Sequence, residues 1–106
     1  MATVREIFPR FVTELEQLIR ASSRPELASQ VGDLPVVSRC RCGQPNCAHF
    51  YTAPPPQGAY SAGHASIPLG AEQGLIVLDI INDRIVAVEV VDRDDVKASL
   101  DAHIPC

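Results

Sequence analysis

Between Leu75 and Val91 the chain carries two apolar runs, LIVLDII and RIVAVEVV, on either side of Asn82-Asp83. β-Branched residues dominate both runs, and Asn-Asp tolerates a tight two-residue turn, so the spacing predicts a β-hairpin with Ile81 opposite Arg84. Alternation along the strands then sorts the side chains. Ile76, Leu78, Ile80, Ile85, Ala87 and Val91 fall on one face, with Glu89 near its open end. Leu75, Val77, Asp79, Ile81, Arg84, Val86, Val88 and Val90 fall on the other, where Asp79 and Arg84 become diagonal neighbours and an expected ion pair. Both faces are largely apolar, whereas an antiparallel hairpin commonly leaves one face wet. Each face therefore calls for a cover: one from an N-terminal helix, the other from a C-terminal helix or a second copy of the chain. The expectation that follows is a homodimer.

The rest of the chain supplies those covers. From Thr3 to Ala21, the residues Val4, Ile7, Phe8, Phe11, Leu15, Leu18 and Ile19 share one helical stripe. Thr3 with Glu6 makes a capping box. Pro9 interrupts this helix; the stripe keeps its phase across it, which predicts a bend. Ser23 reads as the cap of a short second helix ending at Gly32. Asp92 to about His103 reads as a C-terminal helix with Asp92 as cap, a stripe of Val96, Leu100 and Ile104, and Pro105 as its stop. Residues 35–41 and 47–52 read as a second hairpin. Residues 53–74, with Pro54-Pro55-Pro56 and several glycines, read as a long loop in which Tyr60 and His64 are the candidates for contacts, and 66–69 as a short edge strand. The expected fold class is α+β: an antiparallel sheet of two β-hairpins, about four strands, packed with an N-terminal amphipathic helix and a short C-terminal helix.

At 106 residues the chain has the size of one domain, and 46% hydrophobic content provides for one aliphatic core. A net charge of −4 argues against nucleic-acid partners and anionic lipid. No apolar run approaches the length of a membrane helix, and the N-terminal residues lack the pattern of a secretory leader. The expected location is the cytoplasm, where thiols stay reduced.

That setting gives weight to Cys40-Arg41-Cys42-Gly43-Gln44-Pro45-Asn46-Cys47-Ala48-His49. If Gly43 to Asn46 form the turn, Cys42 faces Cys47 and Cys40 faces His49, and all four side chains leave one face of the hairpin. Three thiolates and an imidazole are a recognised structural zinc set, so Cys40, Cys42, Cys47 and His49 are the candidate ligands. Cys106 or His103 are alternates for the fourth position. The spacing C-x-C-x4-C-x-H is compressed relative to common zinc signatures, and two other fates compete with it: buried reduced thiols and a cross-strand disulfide. Arg39 and Arg41 fall on the opposite strand face, expected to be solvated, where their charge offsets the thiolates.

The chain contains no phosphate-binding loop, dinucleotide fingerprint, H-E-x-x-H, G-x-S-x-G or C-x-x-C. Three roles follow. The first is a non-enzymatic binding or accessory protein, stapled by zinc and working through protein contacts. The second is a thiol- or metal-dependent enzyme, or a redox or metal sensor, using Cys47 and His49. The third is metal storage or delivery through Cys-x-Cys.

Overall fold

The structure is a computed structural model and describes residues 1–105; the alternate ligand Cys106 lies outside the described residues. Five antiparallel strands form one sheet: β1 (Ser38–Arg39), β2 (Phe50–Tyr51), β3 (His64–Leu69), β4 (Leu75–Ile81) and β5 (Arg84–Val91), in the order β1-β2-β5-β4-β3. Helices α1 (Val4–Ile7), α2 (Phe11–Arg20), α3 (Ala28–Val31) and α4 (Asp94–His103) complete the α+β fold, and a 3-10 turn, Pro25–Leu27, precedes α3. No helix among the described residues is long and apolar enough to cross a membrane.

The central hairpin forms as its sequence implies, with Ile81 paired to Arg84 and Asn82 at φ +55°. One feature changes its faces. Asp79 pairs with Ala87 but Ile80 pairs with Ile85, so Val86 is an extra residue, a β-bulge. Beyond it β5 is turned over relative to simple alternation. Ile76, Leu78, Ile80, Ile85, Val88 and Val90 now share the buried face. Ala87, Glu89 and Val91 move to the face of Val77 and Asp79. The premise of two apolar faces is thereby corrected: one face is uniformly apolar and the other carries two carboxyl groups. The expected Asp79–Arg84 ion pair is corrected too. Asp79 is buried and bonded to His64 and Ser66, while Arg84 is exposed at the turn.

A bulge leaves backbone groups without ladder partners, and buried groups of that kind need others. Here the Ile85 N–H donates to Gln30 Oε1 at 3.0 Å. The Ile85 carbonyl accepts from the buried Thr52 hydroxyl at 2.8 Å, and the Val86 carbonyl accepts from the Thr52 N–H at 2.9 Å.

The helices cover the apolar face. Val4, Ile7, Phe8, Phe11, Val12, Leu15 and Ile19 join Val96 and Leu100 in one core with the β4 and β5 residues. Phe8 stacks on Phe50 of β2 with ring centroids 4.8 Å apart. The Thr3–Glu6 capping box is present. Pro9, however, breaks the helix rather than bending it: Phe8, the residue before it, takes φ −124° and ψ 66°, as the proline ring disfavours the helical region there. The stripe stays in phase because the apolar face is buried on both sides of the break. Two other caps differ from expectation. Ser22, not Ser23, accepts from the Arg24 N–H. Asp92 takes φ +61° and Arg93 occupies the cap position of α4 without a side-chain cap bond, since a guanidinium has no acceptor to offer; its side chain lies buried at the core edge. There it meets Glu14 at 2.7 and 2.8 Å and Asp95 at 2.9 and 3.0 Å, and its guanidinium lies over the Phe11 ring.

Thr52→Val is expected to cost about 1–3 kcal/mol, since it strands the buried Ile85 carbonyl while keeping the side-chain volume. Thr52→Ser retains the hydroxyl and is expected to cost less. Urea unfolding of the two variants checks the order; equal stability of Thr52→Val and the parent chain would remove Thr52 from the support of the bulge.

Candidate functional site

The second hairpin begins in the expected register, with Ser38 opposite Tyr51, Arg39 opposite Phe50, and the Cys40 N–H donating to the His49 carbonyl at 3.0 Å. The ladder then opens. Residues 46–48 are claimed by the end of β5: Ala48 N–H donates to the Val90 carbonyl, Asp92 N–H to the Asn46 carbonyl, and Cys47 forms a bridge with Val91. The chain between Cys40 and Cys47 is left as a turn, with Gly43 at φ +75° and the Cys47 N–H bonded to the Gln44 carbonyl. Gly43 lets the backbone fold back so that the Gln44 N–H reaches the Cys42 sulfur.

This turn gathers the Sγ atoms of Cys40, Cys42 and Cys47, which all lie within 4.8 Å of one another. All three are free thiols. Cys47 is buried, Cys40 half-buried and Cys42 exposed. Their acidities diverge. Burial pushes the Cys47 thiol up to about 11. The bond from the Gln44 N–H, helped by Cys47 and Cys40, holds Cys42 below the usual thiol range. Three sulfurs at this separation, from one turn, provide a donor set for a thiophilic cation once their protons leave.

The other expected ligands sit differently. His49 falls outside the 4.8 Å group, and its ring lines a neighbouring pocket. His103 bonds through Nδ1 to the Ser99 carbonyl at the exposed end of α4. Arg39 is not on a solvated face, because its strand position places it on the core side. It is buried, paired with Asp101, and bonded to the Ile104 carbonyl at 2.9 Å. Arg41 is exposed and donates to the Pro105 carbonyl at 3.1 Å. The two arginines thus tie the end of α4 to the strand that carries Cys40.

The pocket beside the turn was not legible in the sequence. It occupies the sheet face away from the helices and is lined by His49, Tyr51, Tyr60, His64, Ser66, Asp79, Ala87 and Glu89 around about 230 Å³. Asp79 Oδ1 accepts from the Ser66 hydroxyl at 2.7 Å and lies 3.0 Å from His64 Nε2. His64 in turn stacks on Tyr60, centroids 4.2 Å apart and planes 17° from parallel. Glu89, brought to this face by the bulge, lies against Asp79. That contact first, and burial second, push its carboxyl up to about 7. Burial also raises Tyr51, and pushes Tyr60 up to about 12. His49 is held below the usual histidine range by burial, and its enclosed Nε2 has no hydrogen-bond partner. The sequence singles out His49 of this group as a metal ligand and Tyr60 and His64 as loop residues; β3 in fact starts at His64.

Compared with known protein families, with characterised proteins and with solved structures, the chain matches none.

The folded protein holds the Glu89 proton more tightly than an unfolded chain, whose glutamate titrates near 4.5. This stabilisation is therefore complete below about pH 4.5 and is lost as pH rises through about 7. Chemical denaturation across that range is expected to show stability declining more steeply in the parent than in Glu89→Gln. Identical slopes would mean that Glu89 does not titrate in this way.

Proposed function

We propose that the protein is a small binding domain whose cysteine turn is closed by a structural zinc ion. The observation that carries this reading is the convergence of three sulfurs within 4.8 Å, built by a turn whose glycine and backbone N–H already suit a thiolate. Zinc accepts three or four thiolates in tetrahedral sites and has no redox chemistry of its own. The turn has little regular hydrogen bonding, so an ion would bind together a segment that the ladder leaves loose. For the fourth ligand the candidates are His49, whose ring lines the neighbouring pocket, and the alternates Cys106 and His103. The two arginines near the turn offset the negative charge of a thiolate-rich centre.

Binding rather than catalysis is supported by the state of the nucleophiles. Cys47, held near 11, stays protonated at neutral pH, and Cys42, though held below the usual thiol range, has no histidine among the donors gathered around it to act as its base. Ser66 donates to Asp79, and His64 meets that same oxygen, so the serine is not aligned with a base. The surface carries net charge −4, which suits basic or neutral partners over nucleic acid.

Elemental analysis of the purified protein with a thiol count is expected to find one zinc per chain and protected cysteines. Cys42→Ser is the cleanest variant, because Cys42 is exposed and contributes little packing. It is expected to leave metal-free stability nearly unchanged and to abolish the stabilisation by zinc, which amounts to about 2.7 kcal/mol at a hundredfold excess over the dissociation constant. In cobalt-substituted protein, His49→Ala and Cys106→Ser separate the candidates: losing a fourth thiolate lowers the thiolate-to-metal absorption in part, whereas losing an imidazole leaves it in place. Purified protein without metal, and unfolding indifferent to added zinc, would overturn the reading.

A further inference from the structure

The pocket on the open sheet face has a composition that suits one class of guest. Its two carboxyl groups, Asp79 and Glu89, project side by side from β4 and β5, and the Asp79 side chain is only 5% exposed. No lysine or arginine lines the pocket. Elsewhere the chain uses its cations freely: Arg5, Arg24, Arg39, Arg93 and Lys97 each pair with a carboxylate. Among the described residues, the only ion-pair partner of Asp79 is a histidine, and Glu89 has none. A sheltered carboxyl pair without a cation is costly, and a cation carrying several N–H donors removes that cost.

The walls point the same way. The rings of Tyr51, Tyr60 and His64 surround the carboxyl groups, and the stacked Tyr60–His64 pair forms one side. Aromatic faces attract organic cations, and planar guanidinium groups stack on them. The His49 ring adds a further aromatic wall to this space. The cavity, about 230 Å³, is smaller than a drug-sized site and fits a head group rather than an extended ligand. A metal ion suits the site less well: among the described residues, the only group of three or more His, Cys, Asp or Glu donors within 4.8 Å of one another is the cysteine turn.

We propose that this pocket binds a guanidinium group, held by the Asp79 and Glu89 carboxyls beneath a Tyr60–His64 wall. The guest is either a free small guanidine or an arginine side chain on a peptide; both present the same planar N–H fork, which carboxylates accept bidentately. This site is separate from the cysteine turn, so the inference stands whether or not zinc is bound there.

The test is titration of the full chain, followed by backbone amide shifts, with methylguanidinium, with the neutral isostere methylurea, and with a capped Gly-Arg-Gly tripeptide. Saturable shifts of Tyr60, His64, Ser66, Asp79 and Glu89 amides are expected with methylguanidinium and not with methylurea. Tighter binding of the tripeptide identifies a peptide arginine as the guest; weaker binding identifies a free guanidine. Glu89→Gln is expected to weaken binding at least about tenfold with the fold intact by its amide spectrum. Tyr60→Ala, altered outside the sheet, is expected to weaken it as well and serves where Asp79→Asn fails to fold. Equal response to methylurea and methylguanidinium, no saturable response to either, or unchanged affinity in both Glu89→Gln and Tyr60→Ala, would overturn the proposal.

Discussion

One extra residue in β5 decides what each side of the sheet is made of. With Val86 bulged out, Val88 and Val90 turn toward the helices and Glu89 turns toward Asp79. Because side chains alternate with period two, no smaller change could do this. The bulge in turn depends on polar groups far away in sequence. Thr52 at the end of the second hairpin donates and Gln30 at α3 accepts where the β4–β5 ladder cannot. An apolar face with continuous contact to the helices and a polar face with paired carboxyls are therefore two consequences of one local irregularity.

The charges of the chain divide along the same line. On the helix side, buried arginines fasten elements together. Arg93 joins α2 to the start of α4, and Arg39 joins β1 to its end. Each sits against two or more acceptors, the arrangement under which a sheltered guanidinium is tolerated. On the other side Asp79 is met by Ser66 and His64, and Glu89 has no cation beside it among the described residues. Glu89 answers by keeping a proton, which its contact with Asp79 raises into the neutral range. The pocket is thus chemically unfinished in a way the core is not.

The cysteine turn lies where these two regions meet. Its sulfurs come together because β5 captures residues 46–48, which stops the hairpin from closing evenly and leaves Cys42 and Gly43 to fold back. The Cys40–His49 pairing was legible from turn chemistry alone. The separation of His49 from the sulfurs was not, since it depends on the strand beside it. Likewise His64, an ordinary loop residue by sequence, gains a role only because Asp79 lies opposite its strand.

Patterns within a few residues of each other were sufficient for the α+β class, the Ile81–Arg84 turn, the capping box at Thr3 and Glu6, and the gathering of three cysteines. Those features rest on local dihedral preferences and on the two periodicities of side-chain direction, which a sequence displays openly. The tertiary structure alone decided which face Glu89 occupies, that Arg39 is buried, that Pro9 ends a helix without ending its stripe, and that a polar pocket exists. The face of Glu89, the burial of Arg39 and the pocket are settled by groups contributed from distant segments, the continuity of the stripe across Pro9 by packing, and a bulge that depends on Thr52 and Gln30 leaves no mark in the alternation of residues 84–91.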